Sequence, residues 1–312
     1  MASNASNPPP EVSPSTVPMS VSTSSAPTMA ASINLIQPDG PLTFQFTNVQ
    51  DLFDVINRTS GDFLAVTNVY PHHFIQVRHE REKRRRKIRF RRYDSSSGIL
   101  TIKLPTALHE ALHMGIYMRY CAQLVRKEMS ESWKDIGSTT FRDVQGYPGG
   151  EGDSTGDPWP ECTAPSSWPT LVVDSGHSEL LDDLRKDMRW WFEASNHEVK
   201  IVLLAKFDHQ QDHVILEKWE EEITAPPGPI TRNRASVQQQ NSILQLVKRQ
   251  TITITRDETT NPVSYNVNGA LVLGFRLLFL RDPGPGEGDF ILDIEALQRY
   301  ANVVWAQLPI SD

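Results

Sequence analysis

Pro169-Thr170-Leu171-Val172-Val173-Asp174-Ser175-Gly176 and Val199-Lys200-Ile201-Val202-Leu203-Leu204 decide how this chain folds, together with Leu181, Leu184, Met188, Trp191 and Phe192 spaced between them. Each flanking run is short and apolar, the pattern of a strand buried on both faces. The residues between recur at three- and four-residue intervals, which predicts a helix from about 178 to 195 with Ser178 as its N-cap. Strand, helix, strand reads as one βαβ crossover, so an α/β chain with parallel pairing is expected here.

Upstream, Leu108, Leu112, Ile116, Tyr120 and Leu124 recur every four residues and predict a long amphipathic helix over 106–129. Before it, Ile88 to Tyr93 and Ile99 to Lys103 flank Asp94-Ser95-Ser96-Ser97-Gly98, a β-hairpin signature with Gly98 free to take positive φ. Leu42 to Phe46 alternates as a strand does, and Val49 to Ile56 reads as a short helix. A strand is expected near 136–141, and Val214 to Trp219 reads as the neighbour of 199–204. Thr251 to Thr255 and Leu271 to Leu280 suggest two more strands, and Ile294 to Trp305 a closing helix.

The 312 residues are 22% charged and 38% hydrophobic, ordinary for a globular protein, and no run approaches the roughly 18 apolar residues of a membrane span. Two cysteines, Cys121 and Cys162, are too few for a disulfide framework or a thiolate zinc site, so an intracellular, reducing compartment is expected, nuclear or cytoplasmic. Residues 1–32 are Ser, Thr, Pro and Ala in 23 positions with Glu11 as the only charge, which reads as a disordered tail without the features of a secretory signal. The domain expected over 33–222 is followed by a linker or insertion over 223–250, carrying Pro226-Pro227-Gly228-Pro229, and by a C-terminal α+β extension over 251–312 packing on the core.

Net charge is −7, yet residues 78–92 hold ten Lys or Arg against Glu80 and Glu82, a local +8 that leaves −15 on the rest. Lys83-Arg84-Arg85-Arg86-Lys87 is the densest part. It reads as a phosphate-binding patch, a nuclear-import signal, or a solvated charged edge that discourages aggregation.

Two groups of residues could carry chemistry. His109-Glu110-Ala111-Leu112-His113 matches the H-E-x-x-H pattern of zinc metallopeptidases, in which i and i+4 imidazoles share one helix face. Such a site needs both imidazoles open to one cavity and a third His, Glu or Asp in reach. A histidine packed in the core, or no third ligand, would make the match coincidental, and that is the expectation. The second group is Glu110 on the long helix, Asp157 in Gly156-Asp157-Pro158 and Asp174 at the end of its strand, three acids whose order would suit one hydrated divalent metal. Taken singly, an Asp in a Gly/Pro loop is usually a turn former.

Gly98 to Pro105, His109-Glu110, Gly137 to Arg142, Gly156-Asp157-Pro158, Pro169 to Ser178, Asp187-Met188-Arg189-Trp190-Trp191-Phe192 and Glu217-Lys218-Trp219-Glu220 occur in an order that resembles fungal proteins of the restriction-endonuclease-like, or PD-(D/E)XK, superfamily. The resemblance covers roughly 85–222. It implies a mixed central sheet flanked by helices, in which a helix glutamate and two strand-associated acids hold Mg²⁺ or Mn²⁺ and a lysine orients the attacking water. Glu110, Asp157 and Asp174 are the matching positions. The chain departs from that pattern in having Asp174 where glutamate is usual and Gly176 where the lysine is expected. The substitute lysine is then Lys200 on the next strand, expected to share a cleft with Asp174, since Lys186 points away from the helix's apolar face. The resemblance therefore implies either a metal-dependent nuclease acting on DNA or a catalytically degenerate, nucleic-acid-binding descendant. A zinc peptidase and a non-enzymatic interaction domain are the alternatives.

Overall fold

The computed structural model describes residues 35–36, 42–85, 87–142, 148–164, 167–224 and 243–308. The chain divides into units at 1–33 and 34–312, and the described residues belong to the second. The tail expected over 1–32, and residues 225–242 of the expected linker, lie outside the described residues.

Two seven-stranded mixed sheets organise this unit. The first runs, edge to edge, through β1 (Leu35–Ile36), β2 (Thr43–Gln45), β3 (Phe63–Thr67), β5 (Ile99–Lys103), β4 (Arg89–Asp94), β8 (Pro148–Glu151) and β7 (Thr140–Arg142). Its one parallel step, β2 to β3, is bridged by α1 (Val49–Arg58). The β4–β5 hairpin turns at Gly98, whose φ is +66°, as a residue without a Cβ readily adopts. A second helix, α2 (Pro71–Arg84), precedes β4 and carries Arg78, Arg81, Lys83 and Arg84 of the basic run.

The second sheet has the order β14 (Ser264–Val267), β13 (Ile243–Asp257), β12 (His213–Thr224), β11 (Ile201–Asp208), β10 (Leu171–Gly176), β9 (Ser154–Pro158) and β6 (Trp133–Asp135). Only β10 and β11 pair in parallel, with α4 (Leu181–Ala194) between them, so the expected βαβ unit is present. The chain leaves this sheet after β6, contributes β7 and β8 to the first, and returns as β9.

Apolar residues sort by strand alternation. Leu171, Val173, Ile201 and Leu203 meet α3 (Ala107–Arg126) and α6 (Ile294–Trp305) in the larger core, while Val172, Val202 and Leu204 meet Leu184, Met188, Trp191 and Phe192 of α4 on the opposite face. Tyr300 of α6 donates to the Leu112 carbonyl, so the C-terminal segment belongs to the same core as α3.

Three expectations are corrected. Residues 243–250, placed above in a linker, form the first half of β13, which pairs with β12 along its whole length. The apolar run Leu271 to Leu280 is not one strand: β15 (Leu271–Leu273) pairs with β16 (Phe290–Leu292), and after Gly274 the chain turns into the short helix α5 (Phe275–Phe279). Ser178 does not cap α4; its hydroxyl accepts from the Asp62 amide and so ties the two sheets together. No helix among the described residues is long and apolar enough to cross a membrane.

Close packing at Gly156 gives a stability prediction. A Cβ there would lie 2.5 Å from both Trp133 Nε1 and Tyr117 Oη, which are hydrogen-bonded to each other in the core. Gly156→Ala is expected to lower unfolding free energy by about 1–3 kcal/mol, measured as a shifted urea midpoint at unchanged slope.

Candidate functional site

The site lies where β4 and β5 of the first sheet meet β9 and β10 of the second and the first turns of α3. Antiparallel register pairs Val173 with Ser154, so the next residues outward, Asp174 and Asp153, stand opposite one another. Asp174 Oδ1 accepts from the Asp153 amide, and Asp153 Oδ2 accepts from the Ser175 amide and hydroxyl. Both side chains are buried. The partner of Asp174 is therefore Asp153 and not Asp157. Asp157 is four residues farther along β9, about 13 Å at strand rise, where it is buried and ion-paired with Lys134 of β6 at 3.1 Å. It is a strand residue with a neighbour of its own, so the expected grouping of Glu110, Asp157 and Asp174 does not form.

Lys200 is likewise elsewhere. Asp174 pairs with Leu204, which puts Lys200, just before β11, four residues away along the strand direction, its ammonium donating to the His197 carbonyl at 2.6 Å. The cations that reach the acids come from the other sheet. Between Phe90 and Arg92 the β4–β5 register slips by one residue, and this bulge turns Arg91 inward beside Arg92. Arg91 meets Asp174 at 3.3 Å, Glu179 at 3.0 Å and Asp187 at 2.6 Å, and Arg92 meets Asp187 at 3.0 Å. Lys103, fully buried, is bonded to Glu179 and to the Ser175 carbonyl. Trp191 Nε1 fills the remaining position on Asp174 Oδ2 at 2.8 Å.

On the α3 side, Thr106 caps the helix by accepting from the His109 amide, which presents His109, Glu110 and His113 to the sheets. His109 is fully buried, with Nδ1 3.2 Å from Asp62 and Nε2 3.2 Å from Asp153. His113, also buried, places Nδ1 2.8 Å from Ser154 Oγ and Nε2 3.2 Å from Glu110. Arg89 bridges the group, at 3.0 Å from Asp153 and 3.1 Å from Glu110. The H-E-x-x-H match is expected to be coincidental where a histidine is packed in the core or no third ligand is near; here an acid, Asp153, lies 3.2 Å from His109 Nε2. The imidazoles are nevertheless buried and offer no open face to a polypeptide.

Six carboxylates, Asp62, Glu110, Asp153, Asp174, Glu179 and Asp187, face Arg89, Arg91, Arg92 and Lys103. With acids in excess, protons are redistributed. Burial pushes Asp174 and Glu179 up despite Arg91. Asp153 and Asp62 are held well below the usual carboxylate range: burial opposes this, but His109 outweighs it at Asp153, and Lys103 and His109 outweigh it at Asp62. Burial lowers His109, yet the two flanking carboxylates leave it raised. The linked stability follows. The His109 contribution is complete below its unfolded value of about 6.5 and is lost as pH rises through the folded value, whereas those of Asp62 and Asp153 are lost as pH falls below about 4. His177, pushed down to about 4 by burial, removes stability as pH falls from about 6.5. His109→Gln is expected to be less stable near neutrality and to lack the decline that the wild type shows on going from about pH 6 to about pH 9, read from urea midpoints.

The residues expected to hold Mg²⁺ or Mn²⁺ do not fit that ion. Glu110, Asp157 and Asp174 are apart, and both oxygens of Asp174 are engaged by internal donors. Sequence reading missed Asp153, Arg89, Arg91 and Lys103. Gly152-Asp153 and Gly156-Asp157 are the same dipeptide four residues apart, and only the bounds of β9 tell which Asp meets Asp174.

Beside Glu110 and Arg89 opens a cleft of about 790 Å³, walled by Arg81, Lys87, Thr106, Ser138, Thr139 and Thr140 among others. Of the basic run, Lys83, Arg85 and Lys87 are exposed, with Arg85 closing α2 in the left-handed region. Arg84 is bound to Glu80 and Gln50 and lies over Phe53, and Arg86 lies outside the described residues. Compared with protein-family models and with curated proteins, the chain matches none.

Proposed function

We propose that this protein is a restriction-endonuclease-like domain that binds duplex DNA without cutting it. The mixed sheet flanked by helices, a glutamate in the first turn of α3, and two acids opposed on neighbouring strands support the ancestry, with Asp153 in the place expected for Asp157. The loss of hydrolysis follows from what holds the acids. Metal-assisted cleavage needs carboxylates open to a metal and a positive group free to orient water. Here Arg91 and Trp191 hold Asp174, Arg89 and His109 hold Asp153, and Lys103 is committed to Glu179.

The observation that carries the binding function is the exposed trio Lys83, Arg85 and Lys87, the last on the wall of the cleft that also holds the Arg81–Glu151 and Arg89–Glu110 pairs. Phosphates would be met by Lys83, Arg85 and Lys87, since Arg81 and Arg89 are ion-paired with Glu151, Asp153 and Glu110, and contacts to the backbone alone give affinity with little sequence preference. Alanine at Lys83, Arg85 and Lys87 together is expected to weaken binding of a labelled duplex on the order of tenfold or more at low salt, while the wild type leaves the duplex uncut in Mg²⁺ or Mn²⁺. Cleavage that disappears in Asp153→Ala would restore the hydrolase, and RNA binding that excludes DNA would replace the substrate.

A further inference from the structure

The cluster around Arg89 has the geometry of a metal site whose centre is filled by a guanidinium. Ligand atoms of His109, Glu110 and His113 lie within 4.8 Å of one another, and Asp153, outside that trio, stands beside it at 3.2 Å from His109 Nε2. Ligands bonded to one metal at about 2.1 Å in a tetrahedron stand about 3.4 Å apart. Two pairs already stand at 3.2 Å: His109 Nε2 with Asp153 Oδ1, and His113 Nε2 with Glu110 Oε2.

The outer partners are in place too. Metal-bound histidines are usually oriented by a hydrogen bond from the other ring nitrogen to a carboxylate or another acceptor. Asp62 takes that part for His109 Nδ1, and Ser154 Oγ for His113 Nδ1, so each ring keeps Nε2 for a metal. Arg89 sits among these groups as a cation, 3.5 Å from His113 Nε2 and bonded to both carboxylates. Its side chain reaches the cleft, and Glu110 is one-third exposed there, which provides an entry path and somewhere for the guanidinium to go.

We infer that His109, His113 and Glu110, with Asp153 drawn in as the fourth ligand when Arg89 leaves, form a site for a first-row transition-metal dication, and that metal and Arg89 compete for it. Binding removes the proton from His109 Nε2 to solvent and forms a bond from that nitrogen's lone pair to the metal; nothing is oxidised or reduced. Two imidazoles with two carboxylates select zinc and cobalt over manganese, and exclude magnesium, which prefers oxygen ligands and keeps its waters. Asp174, which the Mg²⁺ arrangement would need, takes no part. The inference does not rest on DNA binding.

The test is titration of the metal-free full chain with Co²⁺, followed by its visible absorption, with Zn²⁺ as competitor and no nucleic acid present. One Co²⁺ per chain is expected, displaced by Zn²⁺ and not by Mg²⁺. Arg89→Gln, which removes the competing cation, is expected to tighten binding at least tenfold and to make the melting temperature metal-dependent. His113→Ala is expected to abolish the signal. Absence of stoichiometric Co²⁺ in both the wild type and Arg89→Gln would overturn the inference, as would a signal that survives in folded His113→Ala. Because Arg89→Gln gains function, the test still decides if His113→Ala does not fold.

Discussion

Arg91→Ala is expected to cost about 3–5 kcal/mol of stability, the cost of breaking a buried ion pair by removing one partner. The guanidinium is almost fully buried and touches Asp174, Glu179 and Asp187, so its removal leaves three acids to Arg92, Lys103, Trp191 and the Asp153 amide. Its charge state is secure: burial opposes the cation, but Glu179, Asp174 and Asp187 push its pKa above the ordinary arginine value. The cost should shrink when a neighbouring charge is removed as well. In a double-mutant cycle, Asp174→Asn in the Arg91→Ala background is expected to recover part of the loss, and strictly additive costs would show that the contact carries no coupling. Urea unfolding of the four proteins measures both.

The second large effect is expected at Asp62. One carboxylate accepts from the amides of His177 and Ser178 at 3.0 and 2.9 Å, faces His109 at 3.2 Å, and lies 3.9 Å from Lys103, all with no exposure to solvent. Asp62→Ala leaves the His177 and Ser178 amides without this acceptor and the buried His109 imidazolium with one counter-charge, again about 3–5 kcal/mol. Asp62→Asn, which keeps an acceptor for the amides and loses the charge, is expected to fall between alanine and wild type. Since Asp62 keeps His109 charged in part, His109 should titrate lower in Asp62→Asn, observable by NMR of the imidazole carbons.

What was legible in the sequence followed from period and length. The β10–α4–β11 unit, α3 and the β4–β5 hairpin announce themselves because their apolar residues recur at one period over many residues. Helix α2 does not, because only Phe74 and Val77 are buried along its 14 residues and its remaining surface is polar. Leu271 to Leu280 misled because a continuous apolar run has no period; Gly274 in its middle was the signal that the chain turns there. At the site, the expected strand holds Asp174 but runs two residues past it to Gly176, and His109 and His113 share one face of α3 as their spacing requires. The rest depends on contacts between segments far apart in the chain. Arg91 reaches Asp174 across 83 residues, and a one-residue bulge aims it. Lys103 reaches Glu179 across 76 residues. Neither spacing nor composition records such pairings, and a motif-guided search for a lysine near Asp174 could not find cations arriving from another sheet.

The measurement that bears most directly on the central claim is the salt dependence of duplex binding by the wild-type chain, followed by fluorescence anisotropy with a labelled duplex. Each phosphate neutralised contributes about −0.9 to the slope of log K against log salt, so contacts from Lys83, Arg85 and Lys87 predict a slope of about −2.7, reduced toward zero when the three are alanine, with the duplex recovered intact. A flat dependence, or a slope unchanged by the triple substitution, would contradict the assignment of this cleft to nucleic acid.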